Sequence, residues 1–353
     1  PPERRRVFAS LRLTVAKIAL GVGGFAAGLS VGREGPSVQV AAGVMQHARR
    51  WLSPGSTIDA RALLVAGGAA GIAAAFNAPL AGVVFAIEEL AGRLEARSSG
   101  LIITAIVLAG LVAVSAFGNL SYFGVIKVQR LGWDLLAPGL LVAVVSGAAG
   151  GLFSRLMALS LTGAPDRFNR WRARQPVLFA AACGLAIALI GLASGGTTFG
   201  SGSESVKEML AGEHELPPMY GLLKFLATWM TAWSGVPGGI FAPSLSVGAG
   251  VGNAVAAIAP PDLTPALIAM GMAGFLAAVT QAPLTAFIIV MEMVDGHSMV
   301  LSLMASAMLA SLVSRMISRP LYETLAQHLV AKTGANEESS AEQSAAGQDA
   351  HRS

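Results

Sequence analysis

The sequence predicts an all-α integral membrane protein, a bundle of tilted and broken helices. Three observations predict it. Hydrophobic residues fill 54% of the 353 positions and charged residues only 12%, against about 25% charged in an ordinary soluble domain. The mean hydropathy is +0.64. Apolar runs follow one another closely, and several are interrupted by Gly or Pro. Together these exclude a disordered chain and argue against a soluble enzyme. The 42 glycines suit helices whose backbones approach closely inside lipid. Net charge is +4, and the arginines gather at the ends of apolar runs: Arg4, Arg5, Arg6, Arg49, Arg50 and residues 167–174. That placement marks membrane flanks, so no nucleic-acid partner is expected. The single cysteine, Cys183, excludes an intrachain disulfide framework and a thiolate metal cluster.

Along the chain, Gly32-Arg33-Glu34-Gly35-Pro36 closes one apolar stretch and opens a helical run, Ser37 to Ala48. Pro36 suits a first helical turn, where its missing N–H costs nothing. The stretch 62–87 is broken by Pro79 and ends at Glu88-Glu89. Runs at 101–117, 135–153 and 177–193 follow, and Gly200-Ser201-Gly202-Ser203-Glu204 reads as a loop opening another helix. The stretch 266–291 is broken by Pro283, and 299–313 is the last clear run; between Phe225 and Met291 the sole formal charge is Asp262. Many runs fall short of the ~20 residues a perpendicular span needs. Short, interrupted segments of this kind predict helices that meet inside the bilayer. Residues 332–353, rich in Ala, Ser, Gln and Glu, are expected to form a disordered tail.

An internal repeat organises the chain. Gly32 to Ser37 aligns with Gly239 to Ser244 at an offset of 207 (241 − 34). At that offset Lys17 meets Lys224, Val40 meets Val247, Gly43 meets Gly250 and Val44 meets Val251. Ala78-Pro79-Leu80 aligns with Ala282-Pro283-Leu284, and Glu88 with Glu292, at an offset of 204 (292 − 88). The division that follows is a first repeat over 1–130, a second repeat with a C-terminal helix over 131–331, and the tail. The second half has a lead-in from Asp134 to Gly221, so the first half is expected to be N-terminally incomplete by roughly seventy residues.

Helix N-termini present unpaired N–H groups and partial positive charge, a ready anion site. Glu34 puts a carboxylate at one, in a nearly charge-free segment where a buried charge is expensive and marks function. Gly238-Gly239-Ile240-Phe241-Ala242-Pro243 repeats the design without the acid. The pair implies a central site for a small anion, with Glu34 competing for the same amides when ionised and leaving when protonated. Glu88 has a repeat partner, Glu292, which favours capping or an ion pair; Glu89 faces Met293 in the alignment, so it is special to one half and a candidate second proton station. None of His47, His214, His297, His328 and His351 pairs with acids at metal-ligand spacing, so no metal site and no cofactor are expected. Ser201 has no His within an apolar span to activate it, and no enzyme is expected.

These residues resemble the voltage-gated chloride channel family, the CLC channels and proton-coupled exchangers. Gly32-Arg33-Glu34-Gly35-Pro36, Ala74 to Gly82 leading to Glu88-Glu89, Gly238 to Pro243, and Pro320-Leu321-Tyr322 carry the resemblance over most of residues 15–325. The resemblance implies a CLC-like inverted-repeat bundle in a bacterial cell membrane, and a homodimer whose subunits each hold a chloride pathway. It implies that Glu34 gates the path and receives protons, and that Glu89 is the inner proton residue of exchangers. Backbone amides of Ile240 and Phe241 and the hydroxyl of Tyr322 would contact chloride, and Gly32, Arg33, Gly35, Pro36 and Gly239 would frame the gate. The family's first anion loop, Gly-Ser-Gly-Ile-Pro, has no counterpart ahead of Gly32, and Gly200-Ser201-Gly202 resembles its duplicate. Chloride/proton antiport is therefore expected. The alternatives are a passive channel of the same fold and a membrane subunit inactive for want of its N-terminal part; Pro36 follows the ordinary gate pattern, which disfavours fluoride.

Overall fold

The computed structural model describes residues 11–53, 58–91, 96–118, 122–126, 132–163, 166–212, 216–217 and 219–331. The expected tail, Arg4 to Arg6, His214 and His351 lie outside the described residues. The described chain is helical, in the order α1 Leu11–Ala26, α2 Glu34–Ala48, α3 Ala60–Phe76, α4 Pro79–Phe85, α5 Ala96–Phe117, α6 Leu136–Thr162, α7 Arg167–Arg174, α8 Pro176–Ala193, α9 Ser203–Ala211, α10 Tyr220–Ser234, α11 Phe241–Ala256, α12 Thr264–Thr280, α13 Pro283–Met293 and α14 Val300–Arg315. A last helix, α15, covers residues 321–331. Among the described residues five segments are long and apolar enough to cross a membrane: Ser99–Ala116, Trp133–Thr162, Pro176–Ala193, Pro261–Thr280 and His297–Arg315.

Pro79 and Pro283 each open a short helix, α4 and α13. The residue two before each proline, Asn77 or Gln281, takes the left-handed conformation that ends the helix ahead of it. The two breaks occupy aligned positions of the repeat. Beyond α4 the chain does not continue as a regular α-helix: Ala86–Ala91 forms a π-helical turn that carries Glu88 and Glu89.

The core centres on α12, in which every residue from Ala266 to Thr280 is buried. It packs against α6, α11, α13 and α14. A helix apolar on all sides has no solvent face, and here it has none. Serines tie the neighbours to it: Ser306 Oγ donates to the Met270 carbonyl (2.8 Å), Ser314 Oγ to Ala278 (2.6 Å) and Ser154 Oγ to Val279 (3.0 Å). Close helix crossings recur in both halves. A Cβ on Gly67 of α3 would strike the Ala41 carbonyl of α2, and one on Gly271 of α12 would strike the Gly248 carbonyl of α11. Gly67 aligns with Gly271, and Ala41 with Gly248. Glycine is required at these crossings for close approach rather than for its backbone freedom.

Replacing Gly248 by valine forces α11 off α12, because its Cβ would lie 2.9 Å from the Met272 Cα. The expected loss is about 3 kcal/mol of stability, read from thermal unfolding in detergent. Gly184→Ala on α8, where no atom lies within 4 Å of the added carbon, should stay within about 1 kcal/mol of the parent.

Candidate functional site

The ends of α2 and α11 meet at two glycines. The Gly32 N–H donates to the Gly239 carbonyl and the Gly239 N–H to the Gly32 carbonyl, both at 2.8 Å. This is the isolated antiparallel bridge among the described residues, and it joins two positions that the repeat aligns. The strand-like stretch before it is held to α10 by Ser30, whose N–H donates to Thr231 Oγ1 (3.1 Å) and whose hydroxyl pairs with Thr228 (2.8 Å).

Glu34 is the first residue of α2 and is 3% exposed. Its carboxylate lies against the backbone N–H groups of Arg33, Glu34 and Ala242, so it reaches across to the first turn of α11. Gly32 and Gly239 flank it, and a Cβ on either would occupy the place of Oε2. Oε2 itself is buried without a hydrogen-bond partner. Ile240 precedes α11 and Phe241 begins it, with Pro243 lacking an N–H two residues on. The Phe241 and Ala242 amides thus stand at an open helix end. Gly35 packs against Gly239, 3.3 Å from its Cα to the position a Gly35 Cβ would take, and Pro36 faces Gly21 of α1.

The Arg33 guanidinium contacts α3 and Tyr122. It donates to the Ala75 carbonyl (3.1 Å) and lies over the Tyr122 ring at 5.4 Å, which also carries Lys207 at 5.8 Å. The Phe241 ring is a hub: it meets Phe76 (6.3 Å), Phe85 (6.2 Å) and Tyr322 (6.1 Å). Those contacts join α11 to α3, α4 and α15.

A cavity of about 580 Å³ is lined by Glu34, Glu89, Arg172, Ile240, Phe241 and Tyr322, among others. A second, of about 830 Å³, is lined by Glu88, Glu89, Gln281, Arg315, Arg319, Tyr322 and Glu323. Glu89 and Tyr322 border both. The structure therefore brings Glu34, Glu89, Tyr322 and the two residues whose amides were singled out, Ile240 and Phe241, to one cavity. Glu88 does otherwise: its Oε1 accepts from the Leu284 N–H (3.1 Å) and its Oε2 from the Thr285 N–H (2.6 Å) at the start of α13. Glu292 returns the contact to α4, accepting from Leu80 (3.1 Å) and Ala81 (2.6 Å). No cluster of three His, Cys, Asp or Glu side chains fit for a metal occurs among the described residues.

Sequence reasoning passed over three contributors. Arg172 was visible only as one of several flanking arginines, yet it lines the first cavity and donates to the Ser160 carbonyl (3.0 Å). Tyr122 carried no signal. Lys224 was noted as the mate of Lys17; it is fully buried, and its Nζ donates to the carbonyls of Thr198 (2.9 Å) and Gly200 (2.7 Å). It thereby holds the Gly200-Ser201-Gly202 loop that opens α9.

The voltage gated chloride channel family matches residues 2–315 of this chain. The H(+)/Cl(-) exchange transporter ClcA of Citrobacter koseri is 32% identical over 307 residues, covering 83% of this chain and 64% of that protein. ClcA of Salmonella typhi is 31% identical with the same coverage. The chain thus spans just under two thirds of the length of these relatives. Among solved structures, a slow cyanobacterial Cl−/H+ antiporter superposes with a TM-score of 0.73 at 25% identity, covering 88% of this chain and 74% of that one. A CLC-type fluoride/proton antiporter superposes with a TM-score of 0.71 at 22% identity, covering 84% and 73%, and shows likeness of fold.

Lys224→Met should leave two buried carbonyls without donors, at a net cost of about 2 kcal/mol. A lower midpoint of thermal unfolding in detergent, with protease cleavage appearing near Gly200, is the expected result.

Proposed function

The chain belongs to the voltage gated chloride channel family, and from that premise we propose that it exchanges chloride for protons across the membrane. Glu34 is the gate and proton acceptor, and Glu89 is the second proton station. The observation that carries this reading is the Glu34 carboxylate lying against the Ala242 amide at the open end of α11. An ionised carboxylate there stands in the place an anion would take. Protonation removes the charge that holds it, the side chain leaves, and chloride takes the amides of Ile240 and Phe241, with the Tyr322 hydroxyl beside them. Deprotonation and return of Glu34 expel the anion. Each swing moves a proton one way and chloride the other.

Glu89 supports exchange over passive conduction. It borders the cavity that holds Glu34 and also the second, more polar cavity, so it stands between a proton source and the gate. Gly32 and Gly239 supply the clearance for the carboxylate, Gly35 lets α2 approach Gly239, Pro36 fixes the first turn of α2, and Arg33 braces the gate through Ala75 and Tyr122. The protein is a multi-pass membrane protein, working without a cofactor and not as an enzyme, as a homodimer with one pathway per subunit. Its halves, 1–130 and 131–331, are inverted repeats; the reciprocal bonds between Gly32 and Gly239 support that division.

Glu34→Gln keeps the side chain's size and removes both its charge and its proton. In vesicles it should give a passive chloride leak independent of pH, with proton counterflow reduced about 10²-fold or more. Simultaneous chloride and pH electrode recordings decide it: uphill proton movement on a chloride gradient in this variant overturns the assignment.

Glu89→Gln should stop proton movement while chloride still crosses, again by about 10²-fold. Proton uptake at the parental rate would remove Glu89 from the pathway. A parent protein that carries chloride but never protons would identify a passive channel.

A further inference from the structure

We propose that Glu88 is a positioning residue for Glu89, acting through its grip on α13 and not as a proton carrier. The proposal rests on the exchange reading above for its functional consequence. Glu88 and Glu89 are neighbours in the π-helical turn Ala86–Ala91. Both Glu88 oxygens are engaged by one helix end, through the N–H groups of Leu284 and Thr285. A carboxylate pinned at two points on another helix fixes its own peptide, and that peptide is shared with Glu89. The i→i+5 bonding of a π turn widens the helix locally and displaces the side chains from their usual rows. Here the result is that Glu88 faces α13 while Glu89 faces the two cavities.

The groups around Glu89 are then set by where Glu88 holds it. In the first cavity they are Glu34, Arg172 and Tyr322. In the second they are Glu88, Arg315, Arg319, Tyr322 and Glu323. Glu88 is poorly placed to relay a proton itself. Both of its oxygens are taken up by N–H donors of α13, and it lines the second cavity but not the one that holds Glu34.

The fold supplies its own control. Glu292 makes the mirror-image grip on α4, at the same 3.1 and 2.6 Å. The residue beside it is Met293, which has nothing to titrate. A role confined to helix capping predicts equal effects from losing either grip. A positioning role predicts that only the Glu88 side alters proton coupling.

Three variants separate the two. Glu88→Gln weakens the grip and removes the charge. Thr285→Pro deletes one donor of α13 and leaves the Glu88 charge in place; a first-turn proline breaks no bond within α13. Glu292→Gln weakens the mirror grip. Each is reconstituted in vesicles for proton and chloride flux. Each is also treated with dicyclohexylcarbodiimide, and modification of Glu89 is followed by mass spectrometry across acidic to neutral pH, a readout that needs no transport. Glu88→Gln and Thr285→Pro should lower the proton-to-chloride ratio about tenfold or more, as misplacing a reacting group does, and should shift the pH profile of Glu89 modification. Glu292→Gln should lose comparable thermal stability but keep the parental ratio and profile. A parental ratio and profile in Thr285→Pro, with both lost in Glu88→Gln, would make Glu88 a proton carrier and overturn the proposal. Equal changes in all three would reduce it to a cap. If the parent moves no protons, the exchange reading falls, and the Glu89 modification profiles still decide the positioning.

Discussion

A helix that begins inside a membrane protein carries backbone N–H groups to a place where water cannot meet them, and much of this structure answers that need. Each such group left unpartnered costs about 1–3 kcal/mol. Helices α4, α11 and α13 all begin this way, and three carboxylates attend them: Glu292 on α4, Glu88 on α13 and Glu34 on α11. Two of these caps are closed, with both oxygens bonded. The third is incomplete, since Glu34 keeps one oxygen buried and unbonded. In the proposed exchange cycle that difference separates scaffold from moving part. A cap with both oxygens bonded has little to gain by leaving, whereas Glu34 has one oxygen unbonded and borders a cavity.

The glycines make the meeting possible. At Gly32 and Gly239 two segments of the chain come within hydrogen-bonding distance with the Glu34 carboxylate lying against both glycines. Any side chain on either would displace that carboxylate. The Gly67 and Gly271 crossings do the equivalent one layer out, setting α2 on α3 and α11 on α12. Lys224 fixes the remaining edge, tying the Thr198 and Gly200 carbonyls that lead into α9. The open helix end at Phe241 is therefore braced by backbone and by aromatic contacts to Phe76, Phe85 and Tyr322.

Much of this was legible in the sequence, for reasons that can be traced. The helix breaks were legible because Pro79 and Pro283 can occupy only a first turn. The acids were legible because charge is so rare between these apolar runs. Glu88 was legible as a structural residue because it had a mate, but not its partner: nothing local says that its carboxylate crosses to the other half of the chain. The π turn was invisible, since no residue in Ala86–Ala91 demands it. Arg172 and Tyr122 were invisible because their roles depend on which surfaces the distant helices bring together.

The repeat also explains where chemistry can reside. Positions that align and match, Gly32 with Gly239, Pro79 with Pro283 and Glu88 with Glu292, are those that hold the helices in place. A symmetric scaffold of this kind has no direction of its own; whatever it offers one side it offers the other. Direction must come from positions that align and differ. Two differ in the relevant way: Glu34 stands opposite Phe241, and Glu89 opposite Met293. Both titratable residues lie in the first half, and their partners in the second are apolar. Phe241 then contributes a backbone amide and a ring where Glu34 contributes a carboxylate, so on the exchange reading proposed above one helix end would hold the anion site and the other would supply its competitor. The two helix ends occupy aligned positions of the repeat, and divergence at these two positions is what the proposed gate would rest on.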